Sequence, residues 1–248
     1  MIKYRRSVRR PKLMHWEIEM EFIDLHFTGK ETTPQRLIRA TQALLAMYGY
    51  DAMTTRMIAN TAGVTLSAIN FHFGSKEDLT KAAMLDAAER LSKYYSKDAD
   101  EIREFLSQKP VDKEKAWSYL DRFLTGRIRQ ALDYSKSWIN IGLAEHENSL
   151  PESSLGIMAE VATKTSESVL AELIEAVSVR PDPFRAMIMA RSMSAAIMTV
   201  MEKPVLFSKL AEQMNQDISD MDRLEMELHD YFLRSIEANV QLHSWQSK

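Results

Sequence analysis

The chain has 248 residues, of which 45% are hydrophobic and 27% charged, proportions ordinary for a globular protein and too apolar for a disordered one. It has no cysteine, which excludes disulfides and thiolate metal sites, and only seven glycines and seven prolines, too few for a β-rich fold with many tight turns. Residues 1–80 carry eleven Lys/Arg against eight Asp/Glu and residues 81–248 carry 21 against 27, so a basic front precedes an acidic rear and only the front suits a polyanion.

The first segment, residues 1–32, reads as a basic N-terminal arm or extension. Lys3, Arg5, Arg6, Arg9, Arg10 and Lys12 fall within twelve residues that hold no acid. Such an arm either enters a DNA minor groove or is a solvated leader. No apolar stretch succeeds it: His15-Trp16-Glu17-Ile18-Glu19 places charge where a secretion signal needs an apolar run. No run of 18 apolar residues is present either, so the chain reads as cytoplasmic, with no membrane partner.

A helix is predicted from Pro34, with Thr33 as its N-cap and Pro34 at the first helical position, where a missing N–H is harmless. Leu37, Thr41, Leu44, Leu45 and Tyr48 repeat at helical spacing, and Gly49 ends the run. Thr54 caps a second helix carrying Ile58 and Ala59. Ala62-Gly63-Val64 is a sharp turn in which Gly63 can take positive φ. A very short helix comes next over 65–71, then Gly74-Ser75, with Ser75 capping a helix whose first turn holds Glu77 and Asp78, suited to the helix dipole.

Two helices across a short glycine-containing turn form a helix-turn-helix, in which a short helix enters the major groove while its partner braces it on the backbone. Met57, Ile58, Ala62, Val64 and Ile69 can bury against the first helix. Thr55, Arg56, Thr65, Ser67, Asn70 and Lys76 then point outward, and all six can hydrogen-bond phosphates or base edges. Phe71 and Phe73 read as core residues joining the short helix to the next one.

From residue 79 the pattern is helical throughout, with helices expected near 76–97, 98–107, 112–134, 136–146, 153–178, 182–202 and 219–241, and partial helix over 204–218. Breaks fall at Pro110, Pro151, Pro181-Asp182-Pro183 and Pro204.

The run Thr54–Ala59, then Ala62-Gly63-Val64-Thr65, then Ile69-Asn70-Phe71-His72-Phe73-Gly74-Ser75-Lys76-Glu77-Asp78-Leu79 resembles the TetR family of bacterial transcription regulators. Leu66–Phe73 is also similar to the CecR-like branch of that family. The resemblance covers residues 34–80. It implies that Thr55 and Arg56 contact phosphate, that Thr65, Leu66, Ser67 and Ala68 face base edges, and that His72 and Lys76 hold the DNA backbone. Asn70 stands where the family usually has a phosphate-bonding Tyr, and Leu66 replaces a commonly polar or basic residue. Asn70 can bond phosphate or pair with adenine, whereas Leu66 can only touch a thymine methyl or face away.

The rear contains no catalytic constellation, metal-ligand spacing or phosphate loop, so neither enzyme activity nor a cofactor is expected. Trp117, Phe123, Trp138 and Met158 either pack a core or line an apolar cavity, with Arg127 and His146 able to bond a polar head group. The resemblance implies an inducer pocket in this region. Met187 and Met198 on one long helix, and Leu224, Leu228 and Phe232 on another, form apolar stripes suited to a second chain; family members dimerise through such helices.

The sequence therefore predicts an all-α protein with a helix-turn-helix DNA-binding domain over 33–80 and a helical ligand-binding and dimerisation domain over 81–248. The function expected is that of a ligand-responsive regulator, a repressor binding a palindromic operator as a homodimer and released by a small, largely apolar effector. The rival readings are a helix-turn-helix scaffold for protein interaction and a helical small-molecule enzyme.

Overall fold

A computed structural model describes residues 27–132, 143, 146–202 and 204–241. The described residues form helices and turns, with no strand among them. We number the helices α1 (Thr33–Ala52), α2 (Thr55–Ala62), α3 (Ser67–Phe73), α4 (Lys76–Ser107), α5 (Lys113–Leu132), α6 (Ile157–Ala162), α7 (Ser168–Val177), α8 (Pro183–Glu202), α9 (Pro204–Gln213) and α10 (Met221–Gln241).

Local chemistry accounts for the first boundaries. Thr32, one residue before the predicted cap, closes a reciprocal box: the Thr32 amide donates to Gln35 Oε1 at 2.8 Å and the Gln35 amide donates to Thr32 Oγ1 at 3.4 Å. Gly49 does not end α1. It sits at φ 72 and ψ 174, kinking the helix, which resumes to Ala52. Thr54 and Ser75 cap α2 and α4 as predicted, accepting from the amides of Met57 (3.2 Å) and Asp78 (3.0 Å).

Two apolar cores form. Leu37, Leu44 and Leu45 of α1, Ile58 of α2, Ile69 of α3 and Leu79, Met84 and Ala87 of α4 build the first, which Leu143, Leu150 and Met158 from farther along the chain complete. The second gathers Ala99, Ile102 and Phe105 of α4 with Leu120, Phe123, Leu124 and Ile128 of α5, Leu170 and Leu173 of α7, Ala190 and Ile197 of α8, and Phe232 and Ile236 of α10. Burying side chains of this size contributes roughly 1.5–3 kcal/mol each, which sets both cores firmly.

Helix α4 belongs to both. The predicted break near residue 97 is absent, and α4 runs unbroken for 32 residues, about 48 Å at 1.5 Å per residue. Ser96–Glu101 is rich in charge, but Tyr95, Ala99 and Ile102 keep the buried stripe at helical spacing through it. The stretch predicted as one helix over 153–178 is instead divided. Gly156 at φ 79 starts α6 afresh, and a π turn over Thr163–Glu167 separates α6 from α7. Arg103 of α4 stabilises that turn, its Nη2 donating to Lys164 O at 2.7 Å and Ser168 Oγ at 2.8 Å. The helix expected near 136–146 falls almost wholly outside the described residues. No helix among the described residues is long and apolar enough to cross a membrane.

Candidate nucleic-acid interface

Helices α2 and α3 are joined by Gly63 to Leu66. Gly63 adopts φ 62 and ψ 41, a left-handed conformation natural to glycine, and its amide caps α2 by donating to Asn60 O at 3.0 Å. A second constraint acts there: a β-carbon on Gly63 would lie 2.6 Å from Nη2 of Arg36 in α1. Ile58, Ala59, Ala62 and Ile69 turn inward and are buried, with Met57 and Val64 packed against the same core.

This burial fixes what remains outside. Arg56, Thr65, Leu66, Ser67, Asn70 and His72 are exposed, while Thr55 and Ala68 are half-buried. The Thr65 and Ser67 hydroxyls lie 3.0 Å apart, so each is oriented by the other. Thr33, Val64, Thr65, Ser67, Ala68, Phe71 and His72 line one shallow depression, bringing the start of α1 beside the outer face of α3. Eight of the nine residues predicted to meet DNA, Thr55, Arg56, Thr65, Leu66, Ser67, Ala68, Asn70 and His72, therefore carry accessible surface on α2, α3 and their turn.

Lys76 is redirected. Its ammonium turns back to α1, donating to the carbonyls of Tyr50 and Met53, both at 2.8 Å, and sits 3.9 Å from the centre of the Tyr50 ring. Partial burial pulls its pKa below the ordinary lysine value, against the opposing pull of Asp51. The side chain satisfies carbonyls left over at the kinked end of α1, a demand invisible in a local motif.

Phe71 is the residue that the sequence reading misses. Expected in the core, it is 84% exposed and stands on α3 with its ring edge-to-face against His72, the centroids 4.8 Å apart. Ile69 already fills the inward position of this seven-residue helix, so Phe71 two residues on must point elsewhere. Phe73 is half-buried against the first core. With Leu66, 49% exposed, Phe71 gives the otherwise polar face of α3 two apolar contacts.

Of the residues predicted to line one effector cavity, Trp117 and Phe123 join one core and Met158 the other: Phe123 is buried in the second core and Trp117 packs against it, whereas Met158 is buried in the first core. The His146 ring abuts Gly49, where a β-carbon would meet its Nδ1 at 3.1 Å. The Arg127 guanidinium lies 5.2 Å from the centre of the Tyr95 ring, and burial raises the Tyr95 pKa against the pull of that cation. Trp138 lies outside the described residues. Apolar composition marks these side chains as interior without telling which of the two cores each joins.

The stripes assigned to a partner chain also divide. Phe232 is buried in its own subunit's core, and Leu228 packs against the same core. Leu224 is half-buried and Met187 is exposed. The Met198 side chain lies outside the described residues. The outer face of α8 instead presents Phe184, Met187 and Ile188, and that of α10 presents Met226 and Tyr231. Both helices have two apolar faces, and the period alone does not say which turns inward.

Residues 37–83 match the family described as "Bacterial regulatory proteins, tetR family". Over 83 residues, 34% of this chain, the sequence is 36% identical to the HTH-type transcriptional dual regulator CecR of Shigella flexneri; the match spans only 37% of that relative's length. The fold is shared much more widely. A putative transcriptional regulator from Pseudomonas aeruginosa PAO1 superposes with a TM-score of 0.55 at 19% identity, over 86% of this chain and 95% of that one. The fatty acid degradation regulator FadR from Bacillus halodurans superposes with a TM-score of 0.52 at 18% identity, over 82% and 96%. Residues 37–83 at the front of the chain thus match the model of the tetR family of bacterial regulatory proteins, and the all-helical fold behind them is shared with these solved structures.

Proposed function

We propose that the protein is a ligand-responsive, DNA-binding transcriptional regulator: a repressor that binds a palindromic operator as a homodimer and releases it when a small, largely apolar effector binds the rear domain. The observation that carries this reading is the outer face of α3, where Thr65, Leu66, Ser67, Asn70, Phe71 and His72 stand exposed beside Arg56 of α2 while Ile69 anchors the helix from within. A short helix so presented fits the major groove, about 12 Å wide. Ser67 and Asn70 supply donors and acceptors for base edges, Leu66 and Phe71 suit thymine methyl groups, and Arg56 suits phosphate.

Helix α4 supports the coupling between effector and DNA. One rigid element packs its front half into the DNA-binding core and its rear half into the second core. A shift of α4 in the rear would tilt the front, and two such fronts in a dimer would change the spacing of their recognition helices. An effector can bias that equilibrium only by its differential affinity for the two arrangements. The exposed apolar faces of α8 and α10 support a homodimer, whose two-fold symmetry suits a palindrome.

Selection of bound duplexes from a random pool tests this reading. Recovery of an inverted repeat with half-sites about one helical turn apart, or a multiple of it, is expected. Failure to recover any duplex at low salt would overturn the reading in favour of a helix-turn-helix scaffold for protein interaction.

A further inference from the structure

We infer that Arg36 of α1 is a further contact to the DNA backbone, holding one phosphate beside the half-site that α3 reads. The inference rests on the DNA-binding reading above and adds to it a residue from outside the helix-turn-helix.

Arg36 is half-buried, and its guanidinium touches two surfaces. Its central carbon lies 4.9 Å from the centre of the Phe27 ring. Its Nη2 also lies so close to Gly63 that a β-carbon there would meet it at 2.6 Å. Glycine at the turn therefore leaves room for the cation as well as for a left-handed backbone. A planar fork already held by ring and turn loses little further freedom when its donors are used, so it is preorganised for an oxyanion.

The charge is not balanced where it stands. Arg39, three residues further along α1, shares the Phe27 ring at 5.4 Å but is paired with Glu31, Nη1 to Oε1 at 3.0 Å. No carboxylate among the described residues pairs with Arg36, and its Nε is buried without a hydrogen-bond partner. A partly desolvated guanidinium with unused donors is costly in the free protein, and a bound anion relieves that cost.

Placement selects the anion. Thr33 lies three residues before Arg36 and so on the same face of α1. It lines the depression shared with Thr65, Ser67, Phe71 and His72, a lining that contains no carboxylate to repel phosphate. Gly63, against which Arg36 rests, belongs to the turn that delivers α3. The first turns of α1 and the turn before α3 therefore border the face that meets DNA. A duplex whose major groove receives α3 carries phosphates along the rims of that groove, and phosphate is the oxyanion that a guanidinium binds through two parallel N–H donors.

The test compares the full chain with Arg36→Met and Arg36→Gln, two neutral side chains that still fill the space against Phe27 and Gly63. Anisotropy of a labelled duplex recovered from the random pool gives the affinity across a salt series. Each variant should lose about 0.9 of the slope of log affinity against log salt for every protomer bound. Each should bind about tenfold more weakly at low salt, by the same factor on the selected duplex and on its single-base variants. Ethylation of individual phosphates locates the contact: one flanking position should interfere with binding of the wild type and cease to interfere with either variant. Weaker binding with slope and interference pattern unmoved would make Arg36 only a prop for the Gly63 turn, and overturns the inference. Unchanged affinity or a base-selective loss overturns it too. Circular dichroism identifies a variant that does not fold. If Arg36→Met fails in this way, Arg36→Gln decides alone; failure of both makes the residue structural and overturns the inference as well. A wild-type chain that binds no duplex in the pool removes the DNA-binding reading itself, whereas wild-type binding with unaltered variants removes only Arg36 from it.

Discussion

The Lys76 ammonium lies 3.9 Å from the centre of the Tyr50 ring while donating a 2.8 Å hydrogen bond to the Tyr50 carbonyl. One side chain at the start of α4 thereby closes the kinked end of α1 and ties the two helices together at Tyr50 and Met53, both of which join the first core. Lys76→Met keeps the alkyl stem and removes the donor. It should lower stability by about 1–2 kcal/mol, a charge-assisted bond discounted for partial exposure. Thermal unfolding checks this, and an unchanged midpoint would return Lys76 to the set of free DNA-facing cations.

Gly63 answers to two demands at once, a left-handed backbone and the proximity of Arg36. Gly63→Ala should destabilise the fold by about 1–2 kcal/mol through the backbone alone. It should also displace the Arg36 guanidinium, which is the end of a flexible side chain and moves at little cost. Loss of the contacts that Arg36 and Arg39 make with the Phe27 ring would then appear as cleavage between Phe27 and Thr33 at protease levels that leave this stretch of the wild type intact. If Gly63→Ala is as stable as wild type, the backbone at Gly63 carries no such strain.

The legibility of the sequence tracks the range of the forces involved. The caps at Thr54 and Ser75 and the turn at Gly63 are legible because a cap is settled within three or four residues. The inward set Ile58, Ala62 and Ile69 is legible because helical periodicity is local. Phe71 and Phe232 are misread in opposite directions, one assigned to the core and found exposed, the other assigned to a partner and found buried. Ile69 takes the single inward position of a seven-residue helix and leaves Phe71 outside, whereas α5 and α7, distant in sequence, supply the core that Phe232 enters. Lys76 shows the same limit, since its acceptors are 26 and 23 residues away.

Phe71→Ala separates a DNA-facing aromatic from a structural one. An 84% exposed side chain contributes little to folding, so stability should change by less than about 0.5 kcal/mol. Affinity for the selected duplex should fall, with the loss concentrated on sites carrying thymine under the ring. A drop in melting temperature of several degrees with no change in DNA binding would place Phe71 back in a packing role.

Arg56 and Ser67 should fail in different ways. Arg56→Ala removes a phosphate partner, so binding should weaken by a similar factor on every duplex and the salt slope should lessen by about 0.9. Ser67→Ala should leave affinity for random duplexes unaltered and relax preference at one base position by about 1–3 kcal/mol. Competition against single-base variants of the selected site distinguishes the two. Base-selective loss from Arg56→Ala would exchange their assigned roles.

The proposed homodimer provides the remaining prediction. Phe184, Met187 and Ile188 are exposed on the outer face of α8, with Met226 and Tyr231 exposed on α10. Phe184, Met187 and Ile188 fall at three- and four-residue spacing, the pattern that lets a helix pair with another helix. A chain of 28.5 kDa that dimerises should scatter light as a particle of about twice that mass, as two-fold association requires. Ile188→Glu places a charge at the centre of the proposed contact and should return the mass to that of a single chain, because burying an unpaired carboxylate costs more than the contact gains. Phe232→Ala serves as the contrast. That ring lies in its own subunit's core, so its loss should cost about 3–5 kcal/mol of folding stability, with dissociation appearing only alongside unfolding. A wild-type mass of 28.5 kDa at micromolar concentration would show that the apolar face of α8 serves another partner. DNA recognition would then have to proceed one half-site at a time.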